Sequence, residues 1–222
     1  MVQMRRFSTF ILAATTVLLG GCNLAGFLLS PTPHSKKIPA ECDLRARQEQ
    51  RVLVLLDVDR GSRADMNLRR SLLSTINGYL VKKARLNSRY LVDAANSPER
   101  AESMNLSSMS PIEAGRKADA GLVLLVIVER SWLEQMENRN YYRGGLVTRS
   151  VLVDTASGKV LWPKEPGGRV VTTQVELETG GYDATVARLV YATSHCIVRN
   201  FYPVQSNAYR VRDELSISPQ GW

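Results

Sequence analysis

Ser194, His195 and Cys196 are three consecutive residues whose side chains could supply a nucleophile and a general base. A hydroxyl or thiol nucleophile needs its base within hydrogen-bonding reach. Neighbouring side chains on a helix point about 100° apart and do not face each other, and the chain has no G-x-S-x-G turn. We therefore predict that Cys196 is a core residue, that His195 is partly exposed, and that the protein is not an enzyme.

Metal chemistry needs several histidine, cysteine or carboxylate ligands that converge on one point. The only two histidines, His34 and His195, lie far apart in the sequence. Four aspartates lie at the ends of predicted strands: Asp57, Asp59, Asp119 and Asp154. Aspartates in such places usually cap turns through their side-chain oxygens. The sequence therefore predicts neither a metal site nor a cofactor.

Cys22 ends a segment with the charge pattern of an export signal. Arg5 and Arg6 precede an uncharged apolar run, residues 7–19, which is too short to span a bilayer as a helix. The run passes into Leu19-Gly20-Gly21-Cys22, which resembles the lipobox of bacterial lipoproteins. That resemblance implies cleavage before Cys22 and acylation of this residue with fatty acids such as palmitate. The alternative is an ordinary signal peptide followed by an incidental cysteine.

Asn23 follows the cysteine of the lipobox. In enteric lipoproteins an aspartate at this position retains the protein in the inner membrane, so the resemblance implies an outer-membrane anchor facing the periplasm. Each buried CH₂ of the acyl chains adds roughly 0.8 kcal/mol, so two or more chains hold a protein firmly. The acyl group is the membrane contact that the sequence predicts.

Removal of the signal leaves 27 basic and 21 acidic residues, a net charge of +6. This excess favours anionic partners such as lipid headgroups, lipopolysaccharide, peptidoglycan carboxylates or an acidic protein. An exported lipoprotein rarely meets nucleic acid, so we predict no nucleic-acid binding.

Composition divides the chain into four parts. Residues 1–21 are the signal peptide, and residues 22–50, which include a Ser-Pro-Thr-Pro stretch, form a flexible tether. Residues 51–205 form a globular domain, and the polar residues 206–222 form a loose tail.

Cys42 and Cys196 are the two thiols that remain if Cys22 carries lipid. An oxidising compartment favours a disulfide between them, which would join the end of the tether to the last helix. The alternative is a buried Cys196 and an unpaired Cys42. Both remain open, because the bond requires Cα atoms within about 7 Å of each other.

Helices and buried strands alternate in the first half of the domain. Residues 52–58 and 122–128 are apolar runs typical of strands that are covered on both faces. Between them, leucines and isoleucine recur at helical spacing over residues 68–80. Ser110-Pro111-Ile112-Glu113 is a helix start with a capping box and proline at the first helical position.

Antiparallel strands follow in the second half. Residues 131–145 are predicted as a hairpin or exposed loop, and residues 146–153, 159–162 and 171–177 as strands. A final helix begins near Tyr182. This order predicts an α/β fold, a mixed-sheet sandwich with helices packed on the sheet.

Two stretches carry a resemblance to known proteins: residues 118–124 (Ala-Asp-Ala-Gly-Leu-Val-Leu) and residues 152–162 (Leu-Val-Asp-Thr-Ala-Ser-Gly-Lys-Val-Leu-Trp). They are similar to a set of periplasmic lipoproteins. The set includes the curli-export pore lipoprotein, the lipoprotein activators of penicillin-binding proteins, and the related N-terminal domain of the Tol-system propeller protein. The resemblance spans roughly residues 51–203 and implies an anticodon-binding-domain-like α/β fold used for protein contacts.

We therefore predict a membrane-anchored, non-catalytic binding or assembly factor of the cell envelope. Aromatic and arginine side chains are typical interface anchors, and five such residues cluster in or beside the predicted hairpin: Trp132, Arg139, Tyr141, Tyr142 and Arg143. The alternative for the aromatic residues is packing on their own sheet. The envelope partner is not identifiable, and a homo-oligomer is left open.

Two other functions fit the same resemblance. A subunit of a curli-type secretion pore needs membrane hairpins of about 9–11 residues per strand with alternating apolar positions. Residues 131–149 carry charges without that alternation, which disfavours the pore. An activator of a peptidoglycan synthase keeps the lipid and the fold, but its contact residues are not identifiable, and residues 22–50 are short for crossing the peptidoglycan.

Overall fold

The described residues contain eight strands and three α-helices, and the larger elements follow the order that the apolar patterns predict. The structure is a computed structural model that describes residues 36–47, 49–58, 66–92, 109–137, 140–212 and 214. Within these residues the strands are β1 Lys37–Ile38, β2 Val52–Val58, β3 Leu91–Val92, β4 Leu122–Gln135, β5 Tyr142–Asp154, β6 Val160–Trp162, β7 Arg169–Leu177 and β8 Val204–Gln205. The helices are α1 Met66–Lys82, α2 Pro111–Lys117 and α3 Gly181–Val198.

Six of the strands form one mixed sheet in the order β3-β2-β4-β5-β6, and β7 also pairs with β5. β2 runs parallel to both β3 and β4, whereas β5 pairs antiparallel with β4, β6 and β7. β1 and β8 form a separate antiparallel pair. The predicted α/β fold with helices packed on a mixed sheet is confirmed.

The main core lies between one face of the sheet and the helices α1 and α3. Leu72, Ile76 and Leu80 of α1 are fully buried against it, because residues four apart lie on one face of a helix. The opposite face carries a smaller cluster, in which Ala114 of α2 packs with Leu53 of β2. β2 is therefore covered on both faces, which is why its sequence is a continuous apolar run.

Two local predictions hold in atomic detail. The hydroxyl of Ser110 accepts from the Glu113 N–H at 3.2 Å, and the Glu113 carboxylate accepts from the Ser110 N–H at 2.8 Å, which completes the capping box of α2. In the turn between β5 and β6, Asp154 accepts from the Ser157 N–H at 2.8 Å, and Gly158 adopts φ 70°. These backbone donors lower the pKa of the Asp154 carboxyl.

The hairpin of β4 and β5 is longer than the apolar patterns predict. Its strands extend to Gln135 and resume at Tyr142, so of the two alternatives predicted for residues 131–145, a hairpin or an exposed loop, the structure shows the hairpin. The ladder shifts register between Val128 and Arg130, and beyond this irregularity the apolar alternation changes. The alternation of apolar and polar residues therefore does not predict that the strand continues beyond Val128.

The fold also begins before the predicted boundary at residue 51. β1 pairs with β8, Leu44 is fully buried, and the Glu41 N–H donates to the Asn200 carbonyl at 2.9 Å. Residues in the ranges 37–47 and 49–50, predicted as part of the tether, thus belong to the folded domain.

Part of the predicted loose tail, at Tyr209 and Glu214, likewise packs on the domain. The guanidinium of Arg199 forms an ion pair with Glu214 at 2.6 Å, donates to the Tyr209 carbonyl at 2.6 Å, and lies 4.2 Å from the Tyr209 ring centroid. Residues 215–222 lie outside the described residues.

Candidate functional site

The far end of the β4–β5 hairpin brings together most of the residues predicted as partner contacts. Trp132 lies opposite Gly145 across the ladder. A Cβ on Gly145 would stand 2.4 Å from the nearest atom of the indole ring, so the ring covers this glycine. A residue without a side chain is needed here because the tryptophan occupies the space.

Arg143 lies beside this tryptophan on the same strand as Gly145. Its guanidinium carbon is 5.8 Å from the centroid of the Trp132 ring, within the range of a cation–π contact, and the arginine is exposed. The pair therefore presents a positive charge held over an aromatic face. We call Trp132 and Arg143 the hairpin pair.

The other two aromatic residues of the hairpin contact their own fold. The Tyr142 ring meets the Tyr182 ring of α3 edge-on at 6.2 Å, and the Tyr141 hydroxyl hydrogen-bonds to Glu176 of β7. Trp132, Tyr141 and Tyr142 are each partly buried. These contacts are those of the alternative, packing on the domain's own elements, and they leave Arg143 as the exposed member. Arg139 lies outside the described residues.

The sequence Ser194-His195-Cys196 does not form a reactive cluster, because its three side chains face different surroundings. The His195 Nε2 atom is 3.2 Å from the Tyr209 carbonyl oxygen, and the Cys196 sulfur is 3.7 Å from the Arg199 guanidinium. The Ser194 hydroxyl is buried and has no hydrogen-bond partner among the described residues.

The burial of one of these side chains differs from the prediction. Cys196 is fully buried as predicted, but His195 is only 8% exposed, not partly exposed. The polypeptide around Tyr209, predicted as a loose tail, covers the imidazole. Burial lowers the pKa of His195, and the nearby Arg199 cation acts in the same direction.

Cys42 and Cys196 are both thiols in the structure, and the disulfide between them stays a prediction. Cys42 is partly buried, and burial raises the pKa of its thiol. The predicted lipid-bearing Cys22 lies outside the described residues.

The predicted strand-end aspartates that the structure describes contact groups of the fold. The Asp57 carboxylate accepts from the Val58 N–H at 2.8 Å, and Asp119 forms an ion pair with Arg51 at 2.6 Å. Asp59 and His34 lie outside the described residues. Within the described ranges, no group of three or more histidine, cysteine or acidic side chains is placed to hold a metal ion.

A cavity of about 420 Å³ lies between α1, α3 and the chain that follows α3. Six of its lining side chains are aromatic or basic: Tyr79, Lys83, Tyr191, His195, Tyr202 and Arg210. We call it the tyrosine cavity. The sequence did not predict this cavity, because the segment at residues 202–211, which forms one wall, has the composition of a mostly loose chain. The signal available was the pair of i,i+4 spacings, Tyr79 with Lys83 and Tyr191 with His195.

None of the described helices combines the length and apolar character needed to cross a membrane.

No protein-family model and no curated protein sequence matches the chain. Solved structures with a partly similar backbone fold include the following three. The lipoprotein GNA1162 from Neisseria meningitidis is 16% identical, with a TM-score of 0.46 over 68% of this chain and 99% of that chain. The hypothetical protein CT253 from Chlamydia trachomatis is 14% identical, with a TM-score of 0.44 over 67% and 93%. The PelC dodecamer from Paraburkholderia phytofirmans is 14% identical, with a TM-score of 0.37 over 75% and 94%.

Similar structures thus include a bacterial lipoprotein and PelC, at identities of 16% or less. TM-scores below 0.5 describe a partial likeness, so the function must be argued from the residues of this chain.

Proposed function

We propose that this chain is a lipid-anchored, non-catalytic binding or assembly factor of the bacterial cell envelope, held at the periplasmic face of the outer membrane. The anchor is argued from the sequence: Arg5 and Arg6, the short apolar run and Leu19-Gly20-Gly21-Cys22 have the order and spacing of a lipoprotein signal.

The observation that carries the binding role is the hairpin pair. Trp132 is fixed over Gly145, and Arg143 is held over the indole at the exposed end of a long hairpin. Tryptophan and arginine are enriched among residues that dominate binding energy. A preformed pair loses little side-chain freedom on binding, so it suits a contact with a protein that presents an acidic or aromatic surface.

The anchor is tested by membrane fractionation of the native chain and of Cys22→Ser. We expect the native protein in the membrane fraction, with acyl chains visible by mass spectrometry, and the variant without acyl chains and released from membranes. Cys42→Ser is the matched control and should stay in the membrane fraction. Retention of Cys22→Ser at the level of the native protein would contradict the proposal.

The binding role is tested by photo-cross-linking from position 143, with position 159 as the control. Arg143 and Lys159 are both exposed, but Lys159 lies at the other end of β5 in the turn before β6. We expect a discrete envelope protein to be captured from position 143 only.

Light scattering on the detergent-extracted protein checks the assembly state. A monomer or dimer fits a tethered adaptor, whereas a discrete large ring would replace it with the secretion-pore alternative.

A further inference from the structure

The first half of the domain contains a stretch in which every charged residue is basic. Residues 66–92, which include α1 and β3, contain six lysine or arginine side chains and no acidic ones. These are Arg69, Arg70, Lys82, Lys83, Arg85 and Arg89. All except the half-buried Arg69 are exposed. The six equal the whole net charge of the chain without its signal, so the excess charge is concentrated on one segment.

The tyrosine cavity opens where this basic stretch ends. Lys83 follows the last residue of α1 and lines one wall, while Arg210 lines the wall formed by the chain after α3. No aspartate or glutamate is among the residues that line the cavity. Two cations from different segments thus face one concave space of about 420 Å³.

Aromatic rings line the same cavity as these cations. The Tyr79 ring meets the Tyr191 ring at 5.8 Å and the His195 ring at 6.1 Å, both in edge-on geometry. Tyr191 is nevertheless 47% exposed, so part of its side chain remains accessible beside the cavity. The Arg188 guanidinium lies 5.6 Å from the centroid of the Tyr191 ring and fixes the ring from outside the lining.

Protonation keeps the cavity positive at neutral pH. Burial raises the pKa of Tyr79 and of Tyr202, so both phenols stay protonated and uncharged. Burial lowers the pKa of His195, so the imidazole is neutral and adds no charge. The fixed charges of the lining are therefore Lys83 and Arg210.

We propose that the tyrosine cavity binds one unit of an acidic saccharide, with Lys83 and Arg210 on its carboxylate and the Tyr191 ring against the face of the sugar. Cations with hydroxyl donors recognise a carboxylate through charge-assisted hydrogen bonds. An exposed aromatic ring offers an apolar surface to the C–H face of a pyranose. The basic stretch along α1 then accommodates neighbouring acidic units of the same chain. The choice of a saccharide over a nucleotide rests on the proposed envelope location.

The test is isothermal titration calorimetry on the full mature chain, extracted in mild detergent. The acidic probe is a short oligogalacturonate, and the neutral probe is a maltooligosaccharide of the same length. We expect saturable binding of the oligogalacturonate that weakens as salt is raised, and no binding of the neutral probe.

Two variants locate the binding. Lys83→Gln combined with Arg210→Gln should weaken oligogalacturonate binding by roughly tenfold or more. Tyr191→Ala should also weaken it, without a change of charge. The charge-matched control is Lys159→Gln combined with Lys164→Gln, two exposed lysines outside the cavity, which should bind like the native chain. Thermal melting checks that each variant is folded.

Three outcomes overturn the proposal. They are absence of oligogalacturonate binding, equal weakening by the control pair, and binding of phosphatidylglycerol vesicles but not of the saccharide. The last would assign the basic surface to lipid headgroups. Calorimetry does not depend on acylation, so saccharide binding by a chain that fails the fractionation test would remove the membrane anchor and leave this site in place.

Discussion

The charge state of His195 is set by residues that lie outside α3. His195 sits on α3, yet its environment is set by Tyr209, whose carbonyl oxygen is 3.2 Å from Nε2, and by the Arg199–Glu214 ion pair. The Tyr79 ring of α1 meets the imidazole edge-on at a centroid distance of 6.1 Å. A histidine in this setting is neutral because burial and the arginine both disfavour its charged form.

This setting predicts a pH-dependent stability. The pKa of His195 is lower in the folded chain than its ordinary value of 6.5, so the unfolded chain binds the proton more tightly. The contribution of His195 to the free energy of unfolding should therefore be complete above pH 6.5. It should be lost as the pH falls from 6.5 through the lower pKa of the folded chain. His195→Gln should flatten that fall, measured by urea unfolding between about pH 5 and 8.

His34→Gln is the control, since His34 lies in the predicted tether. It should keep the native slope. Identical slopes for the native chain and His195→Gln would show that the imidazole does not titrate differently on folding.

A helix or strand of this protein could be predicted wherever the signal for it lies within its own residues. Val52–Val58, the leucine spacing of α1 and the capping box at Ser110 were predictable because each signal lies within one element. The far half of β4 was not predictable in the same way. Its Trp132 and Leu133 lie opposite Gly145 and Gly144, so the pairing depends on two glycines in the next strand.

The close contact between Trp132 and Gly145 predicts how a substitution in the β4–β5 hairpin changes stability. Gly145→Ala places a methyl group 2.4 Å from the Trp132 ring, so the indole must move. We expect a loss of about 1–3 kcal/mol in the free energy of unfolding, typical of overpacking. The measurement is chemical unfolding, together with the shift of the Trp132 side-chain resonance by NMR.

Gly78→Ala is the matched control, because a Cβ there meets nothing within 4 Å and the residue lies inside α1. It should leave the protein unchanged or more stable by about 0.5–1 kcal/mol, since alanine favours helix. If the two variants behave alike, the close contact of Trp132 with Gly145 is not part of the fold in solution.

At the scale of the whole molecule, long-range contacts decide where the domain begins and ends. Glu41 accepts from the Trp162 indole N–H at 2.7 Å across 121 residues of sequence, and also from Arg169 at 2.6 Å. Nothing in the local composition of residues 37–50 signals this contact. The tyrosine cavity escaped prediction for the same reason, because its walls come from α1, α3 and the segment after α3.

Loss of Glu41 should therefore destabilise the entire domain. Glu41→Ala leaves the N–H of the buried Trp162 and the guanidinium of Arg169 without their shared acceptor. An unsatisfied buried donor costs about 1–3 kcal/mol, and we expect a loss of this size by thermal or urea unfolding.

Glu165→Ala tests the same arginine from its exposed side. Glu165 lies 3.9 Å from Arg169 and is exposed, so its removal should cost little. Equal losses for the two glutamate variants would contradict a special role for Glu41.

The pairing of β1 with β8 has a mechanical consequence for a chain tethered by lipid as proposed. Tension on the tether reaches the domain at Lys37, where two antiparallel residue pairs carry it first. Their separation would release the chain up to Glu41, roughly 14 Å of extended backbone. The load would then meet Glu41 and its bonds to Asn200, Trp162 and Arg169. The first strand would thus act as a short extensible link that gives way before the core is strained.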